Sequence, residues 1–404
     1  MRRILFLIII VMLMVCSCRA DRMRPDADAL SSASRQRQIE VQRLLTRYMP
    51  EAMSDGIVKT AIVRNFPVSD HARQFLAGCT AEGRSMGFIV DTFITGGDNE
   101  FCRQLIEKIS QADYDGLVLS HGGADFTAEA LKPALEKGIK VVTFDALPCK
   151  NGNPAGGILD GVTSTSQDDI TLARISVEAL LNQHNRLKER QSPAEPLRVI
   201  RAWFGPGILP LDSRQTVYDG LIRAGTITEA AVIAPRDFAA SREGIRDALT
   251  AILPRFPEGT VDAVWAPYDD FARGCMDALN TAGRRDIMLT SIDISDDDIK
   301  MMLDNSAVWI GTAAADPGLI GIVNMRILAA KLAGEFTPDT HIFNVRFVKT
   351  SELNRMVNMS NIAFTVSGWE GDAGLYDQYP WMTALKTAGG KQRDITHAEN
   401  GIRQ

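Results

Sequence analysis

Carboxylates, aromatics and histidines in this chain collect just after short apolar runs. Asp70 and His71 follow the run Ile57–Val63, and Ser120 and His121 follow Gly116–Leu119. Asp145 follows Lys140–Phe144, and Phe238 follows the run 230–234. Tyr268 and Asp269 follow Val261–Ala266, and Asp293 follows Ile287–Ile292. A carboxylate accepts two hydrogen bonds at once, and an aromatic ring covers a flat apolar face. That chemistry holds a ligand rather than transforming one. Signatures of catalysis are missing: there is no GxSxG elbow, no phosphate loop ending in GKS or GKT, and no HExxH pair. Ser120 and His121 are adjacent on one strand end, a poor arrangement for a triad with Asp145. Asp296, Asp297 and Asp298 are consecutive and lack EF-hand spacing, so they are expected to face solvent. The chain is therefore expected to be no enzyme and to need no metal or cofactor.

The balance of 44 Lys and Arg against 50 Asp and Glu gives a net charge of −6, and no basic run follows residue 3. Sequence-independent binding of nucleic acid needs the opposite sign. With 45% hydrophobic and 23% charged residues, the composition is globular. The N-terminus opens with Arg2 and Arg3 and an unbroken apolar run, Ile4–Val15. This run is shorter than the roughly 20 residues that a membrane span needs and fits a secretory signal over residues 1–17. Val15-Cys16-Ser17-Cys18 resembles a bacterial lipobox, with Cys18 as the cysteine that would be lipidated. Removing residues 1–17 takes away two arginines and no acid, leaving −6 − 2 = −8. Among the body cysteines, Cys79 and Cys102 fall on apolar helix faces, so buried thiols are expected, with a Cys79–Cys102 bridge as the alternative.

Behind the candidate residues lies a repeating pattern. Residues 18–56 are polar and form a tether or linker. From residue 57, four apolar strands alternate with amphipathic helices up to residue 144. The rhythm restarts after residue 165 with a long helix at 168–188, a charged loop at 188–197 and further strands at 198–204, 230–234, 261–266 and 287–292. A helix over Asp316–Leu332 and a single strand over His341–Val348 follow. Such alternation implies right-handed crossovers and parallel sheets covered on both faces. The expected architecture is α/β: two doubly wound lobes joined by a three-segment hinge. Lobe 1 takes residues 57–165 and 316–335, and lobe 2 takes 166–315 and 336–350. Residues 351–404 are a C-terminal extension wrapping the lobes, frayed over its last ten or so. In open parallel sheets ligands sit beyond the carboxyl ends of the strands, where the candidate residues are.

The chain resembles the type I periplasmic sugar-binding proteins, the ribose- and galactose-binding branch that serves ABC transporters. The resemblance covers residues 57–350. It is carried by Phe75-Leu76-Ala77-Gly78, by Asp115-Gly116-Leu117-Val118-Leu119-Ser120 and by Gly138-Ile139-Lys140-Val141-Val142-Thr143-Phe144-Asp145. In the second half the matching stretches are Tyr218-Asp219-Gly220-Leu221, Val261-Asp262-Ala263-Val264-Trp265-Ala266 and Ser291-Ile292-Asp293. The resemblance implies a sugar or sugar-like ligand held in the cleft by lobe closure. Asp145 and Asp293 match the carboxylates of the two lobes, Ser120 the polar end of the third strand, and Ser166 the start of the crossover helix. Phe238 matches an aromatic of the second lobe, and Tyr268-Asp269 stand where Asn-Asp is common. It further implies an ABC permease as partner and a monomer in the periplasm. A sensory receptor with the same grip, signalling to a kinase or chemoreceptor, is the alternative.

Departures from the family pattern bear on the ligand. Asp70 and His71 stand where relatives often place two aromatics, and Ala146 where an arginine often follows Asp145. Val217 replaces another common arginine, with Arg214 and Gln215 nearby, and Ala315 stands where Gln or Asn is usual. These changes lead to the expectation of an acidic pocket, suited to a polyol, an amino sugar or another hydroxyl-rich or cationic ligand.

Overall fold

Two six-stranded sheets, each with helices on its faces, make up the computed structural model, which describes residues 57–122, 126–188 and 195–388 together with part of the segment 36–53. The expected signal over residues 1–17, Cys18 and the last ten residues lie outside the described residues.

The first sheet begins with β1 (Lys59–Arg64), α1 (Asp70–Ser85), β2 (Ile89–Ile94), α2 (Asn99–Gln111), β3 (Gly116–Ser120), α3 (Thr127–Glu136) and β4 (Lys140–Phe144). Strands β1, β3 and β4 are buried on both faces, as their continuous apolar runs require, while the edge strand β2 is half-buried over its last three residues. Side-chain caps fix where the helices start: Ser69 Oγ accepts from Ala72 N, and Asp98 from Phe101 N. A fifth strand, β5 (Val162–Gln167), continues the sheet and was not expected from the sequence. Its segment VTSTSQ is polar, but its hydroxyls are bonded internally. Thr163 donates to Pro338 O, Ser164 to Ala146 O and Thr165 to Thr143 O.

The chain then crosses to the second sheet. Helix α4 (Asp169–Lys188) packs against strands of that sheet, and Trp265 Nε1 donates to Ser176 Oγ on it. The second unit runs β6 (Leu197–Ala202), α5 (Leu209–Arg223), β7 (Ile227–Ile233), α6 (Ser241–Ile252), β8 (Ala263–Ala266), α7 (Asp269–Thr281), β9 (Met288–Ile292), α8 (Asp296–Asp304) and β10 (Trp309–Ala314). Strand β10 was likewise not anticipated. Helix α9 (Pro317–Leu332) returns to pack on α1. That contact needs glycine: a Cβ at Gly78 would collide with Gly318 O, and one at Gly321 with Phe75 O.

The single strand expected at His341–Val348 is two. β11 (Thr340–Phe343) joins the edge of the first sheet beside β5, and β12 (Arg346–Lys349) joins the second sheet antiparallel to β10. So part of the segment 336–350, assigned by sequence to lobe 2, lies in the first sheet. The sheet orders are β11-β5-β4-β3-β1-β2 and β12-β10-β9-β8-β6-β7. The chain passes between them near residues 168, 315 and 344.

The C-terminal extension touches both sheets. Val357, Ile362, Val366 and Trp369 pack into the second core, while Met382 and Leu385 enter the cluster containing α1 and α9. Between them Asp372 accepts from Asn344 N and Nδ2, at the third crossing. The four body cysteines Cys79, Cys102, Cys149 and Cys275 are buried free thiols, so there is no Cys79–Cys102 bridge.

Candidate functional site

The carboxyl ends of both sheets face each other across a narrow cavity of about 30 Å3 to which each lobe contributes seven residues. At 10–15 Å3 per water, this space holds about two water molecules. Six of the ten candidate residues line it: His71, His121, Asp145, Phe238, Tyr268 and Asp293. The rings close it off. Phe66 lies 4.5 Å from the His121 ring and 5.1 Å, edge-on, from Phe238, which stacks on Tyr268 at 5.4 Å.

Three of these residues sit in left-handed backbone conformations: His121 (φ 62°), Asp145 (φ 49°) and Asp293 (φ 75°). Such strain in residues other than glycine is tolerated where the surroundings enforce it. Here the sheet does so, because His121 N donates to Phe144 O, Asp145 N to Thr165 O and Asp293 N to Ala313 O. Each strand thus ends on a kinked residue whose side chain turns into the cleft.

Two arginines that the sequence reading did not include complete the site. Arg64 ends β1, is 1% exposed, and donates through one Nη to Ser120 Oγ at 2.9 Å. Burial lowers its pKa to about 10, so it stays charged. Arg214 lies on α5. It donates to Asp169 Oδ1 at 2.8 Å, Pro267 O at 2.7 Å and Asp293 Oδ2 at 3.2 Å. Burial alone would lower Arg214, but Asp293 and Asp169 more than offset this and hold it above its usual value. Burial raises Asp169 to about 6 despite Arg214. Asp145 is pushed well above the usual carboxylate range by burial, with Asp169 adding to the effect. Burial and the nearby arginines hold His71 down to about 4, and they hold His121 well below its ordinary value. Two buried cations therefore face three carboxylates, with two neutral histidines beside them. Arg64 and Arg214 offset two of these three carboxylates, so the pocket is less acidic than the sequence led one to expect.

Four buried polar atoms of this cavity have no hydrogen-bond partner within the protein: Arg64 Nε, His71 Nε2, Asp145 Oδ1 and Gln167 Oε1. They supply donors and acceptors together, the mixture that hydroxyl groups satisfy.

The other four candidates lie elsewhere. Ser120 is fully buried behind the wall, bonded to Arg64 and His121. Ser166 is inside β5, opposite Ile342, and not at a helix start; the helix begins at Asp169, and Gln167 is the β5 residue at the cavity. Asp269 is the buried first residue of α7 and lies 3.4 Å from Arg273, which also binds Asp298 at 2.7 Å. Asp298 is thus buried and paired, contrary to the expectation that the acidic run faces solvent. Asp70 starts α1, pairs with Arg73, and reaches Arg273 of the other lobe at 3.6 Å. The residues overlooked by sequence reading carried one signal: Arg64 is a charge ending an otherwise apolar strand, in register with Ser120.

Among the described residues no group of histidine, cysteine and carboxylate side chains could hold a metal ion, and no helix is long and apolar enough to cross a membrane.

No protein-family model and no curated protein matches the sequence. Solved structures do. A sugar ABC transporter from Yersinia enterocolitica subsp. enterocolitica 8081 is 31% identical, covers 84% of this chain and 98% of its own, and superposes with a TM-score of 0.76. A 5-methylthioribose transporter solute binding protein from Thermotoga lettingae TMO, in complex with 5-methylthioribose, is 24% identical over 84% of this chain and 99% of its own, with a TM-score of 0.71. An ABC transporter solute binding protein from Agrobacterium vitis with bound allitol is 17% identical over 74% and 97%, with a TM-score of 0.62. These neighbours are solute-binding transport proteins rather than enzymes or sensors. Fold, cleft and relatives agree, and the chain belongs to the type I periplasmic sugar-binding proteins, the solute-binding components of ABC transporters.

Proposed function

We propose that the cleft between the lobes, of which the narrow cavity is the innermost part, binds a neutral sugar or sugar-like polyol, that lobe closure traps it, and that the loaded protein delivers it to an ABC permease. The observation that carries this reading is the convergence of four unpartnered buried polar atoms on one cavity between the lobes. A ligand with several hydroxyls satisfies them, and a ligand that lacks the hydroxyls leaves them unpaired at large cost. Asp145 and Gln167 accept from hydroxyls, Arg64 donates, and His71 and His121, both neutral, do either. Arg214 and Asp293 hold the opposite wall. Phe66, Phe238 and Tyr268 cover the ring's apolar face. The near-balance of charge favours a neutral polyol over an amino sugar.

Closure couples to binding because the ligand touches both lobes only when they are together. Residues 1–17 then serve as export signal, Cys18 as lipid anchor and 18–56 as tether, a reading supported by the Arg pair and apolar run at the start of the sequence. The mature protein works as a monomer in the periplasm.

The test is a thermal-shift and calorimetry screen of protein stripped of ligand by unfolding and refolding. A ligand at a hundred times its Kd adds about 2.7 kcal/mol of stability and raises the Tm by a few degrees. Pentoses, hexoses and linear polyols should include a binder. Absence of any shift across them, with the protein folded, would remove this reading.

A further inference from the structure

A second chamber of about 530 Å3 opens from the ring partition towards solvent, within the range of about 300–1,000 Å3 usual for small-molecule sites. It shares Phe66, His121, Asp145 and Phe238 with the inner cavity, so the two are one cleft divided by rings. Resting on the function proposed above, we infer that the ligand is a sugar bearing an uncharged apolar substituent: one edge of the sugar puts about two hydroxyls into the inner cavity, and the rest of the ring with its substituent occupies the outer chamber.

The two chambers differ in chemistry. The inner one concentrates the unpartnered atoms of Arg64, His71, Asp145 and Gln167. Much of the outer wall is hydrocarbon, from Phe66, Pro67, Leu147, Phe204, Leu209 and Phe238. Phe204 packs edge-on against Phe238 at 4.9 Å, so the wall is continuous with the partition. A sugar hydroxyl against that wall would lose water without gaining a partner, which is costly. An alkyl, alkylthio or aryl group there gains by burial. The space is real at backbone level: Gly96 and Gly97 line it in left-handed conformations, and a Cβ at either would meet nothing within 4 Å. Charge weighs against the anionic alternative. Apart from Asp145, which already faces Arg64 and Arg214, Asp212 and Asp237 face the chamber against the single cation Arg236, an excess of acid that disfavours phosphate or carboxylate.

The experiment compares bare and substituted sugars by calorimetry on the full chain: D-ribose with 5-methylthioribose, D-galactose with butyl β-D-galactoside, and ribose 5-phosphate as the charged control. In at least one pair the substituted sugar should bind tenfold or more tightly than its parent, a difference of about 1.4 kcal/mol. Ribose 5-phosphate should bind more weakly than ribose. Phe204→Ala and, independently, Leu147→Ser should cut the preference to threefold or less and leave the parent sugar's affinity within twofold, which also certifies the fold. Parent sugars that bind as tightly as their substituted forms, or a phosphorylated sugar that binds best, would overturn the inference while leaving the sugar-binding function standing. A folded protein that binds neither member of either pair overturns the inference, and the sugar-binding function then stands or falls on the wider screen of pentoses, hexoses and polyols.

Discussion

The two lobes end their fourth strands with the same device and use it differently. Asp145 follows β4 and Asp293 follows β9, both left-handed, each donating its backbone N–H to the neighbouring strand at 2.9 Å. The likeness runs to the far ends of the sheets. Asp115 accepts from Lys59 N at the start of β1, and Asp262 accepts from Arg198 N at the start of β6. Yet the side chains of the two cleft carboxylates have different surroundings. Asp293 is occupied by Arg214 and by Gln167, which reaches it at 3.5 Å. Asp145 has the neutral His121 ring at 3.6 Å from Oδ2 and no partner for Oδ1. One lobe keeps its carboxylate satisfied within the protein, and the other presents its carboxylate to the cleft. Equivalent positions in two similar sheets thus divide into a structural role and a recognition role, and the division follows from where the arginines lie.

The sharpest way to break this comparison is to remove Arg214. Arg214→Met leaves Asp293 and Asp169 buried without their cation, and breaking a buried pair in this way costs about 3–5 kcal/mol. The Tm should fall by about 5–10 °C in the absence of ligand. Asp145→Asn should lower it less, because that carboxylate makes no direct ion pair with either arginine and feels their charges only at longer range. A Tm that drops equally in both variants would show that the two carboxylates are not differentiated.

Recognition should respond in the opposite order. Asp145→Ala should weaken ligand binding about a hundredfold, the loss expected for charge-assisted hydrogen bonds to a ligand, with the Tm of the free protein falling less than in Arg214→Met. Calorimetry measures both. An affinity within threefold of the wild type would place the recognition elsewhere in the cleft.

Asp145 was legible in the sequence and Arg214's role was not, for a physical reason. Continuous apolar runs alternating with amphipathic helices announce parallel strands, and the ends of those strands locate the cleft. Asp145 and Asp293 therefore stand out by position alone. What position does not reveal is pairing: Arg214 lies within a helix, away from any strand end, and meets Asp293 only through tertiary packing, 79 residues away in sequence. Two strands were hidden for related reasons. VTSTSQ lacks an apolar run because its hydroxyls are satisfied by neighbouring backbone, and WIGTAA has only Trp309 and Ile310 as large apolar residues before four small ones. Missing the first of these displaced the start of the crossover helix to Ser166, three residues early. Arg64 went unseen because a lone charge at a strand end usually faces water, whereas here it is sealed between Phe66, Phe75 and Ser120.

A smaller effect concerns closure. Asp70 belongs to the first lobe and Arg273 to the second, and their 3.6 Å approach exists only when the lobes are together. Burial would raise Asp70, but the hydrogen bonds it accepts from Arg73 and Asp297 and the charge of Arg273 hold it below the usual value, so it is ionised at neutral pH. Partly exposed pairs of this kind contribute about 0.2–1 kcal/mol. Asp70→Asn should therefore weaken ligand affinity about two- to fivefold while leaving Phe66 and Phe238 in place. Small-angle scattering of the unliganded variant should show a larger population of open molecules. No change in either measurement would mean that this pair does not help to hold the lobes closed.

The finest separation of the two walls is by pH. Asp169, beside Arg214, has its pKa raised to about 6, whereas an unfolded aspartate titrates at about 3.9. Between those values the folded protein holds a proton that the unfolded chain has lost, so this group makes stability fall as pH rises. His71, among Arg64, Arg214 and Asp293, is held down to about 4 against about 6.5 unfolded. Between pH 4 and 6.5 the unfolded chain holds the proton instead, so this group makes stability fall as pH drops. The two slopes are opposite and overlap from pH 4 to 6. Relative to wild type, Asp169→Asn should tilt the Tm profile upward with pH across that window, and His71→Gln should tilt it downward. Thermal melts from pH 4 to 7 read both. Parallel profiles for all three proteins would mean that neither group is displaced by its burial, and that the contrast between the walls is one of hydrogen bonding alone.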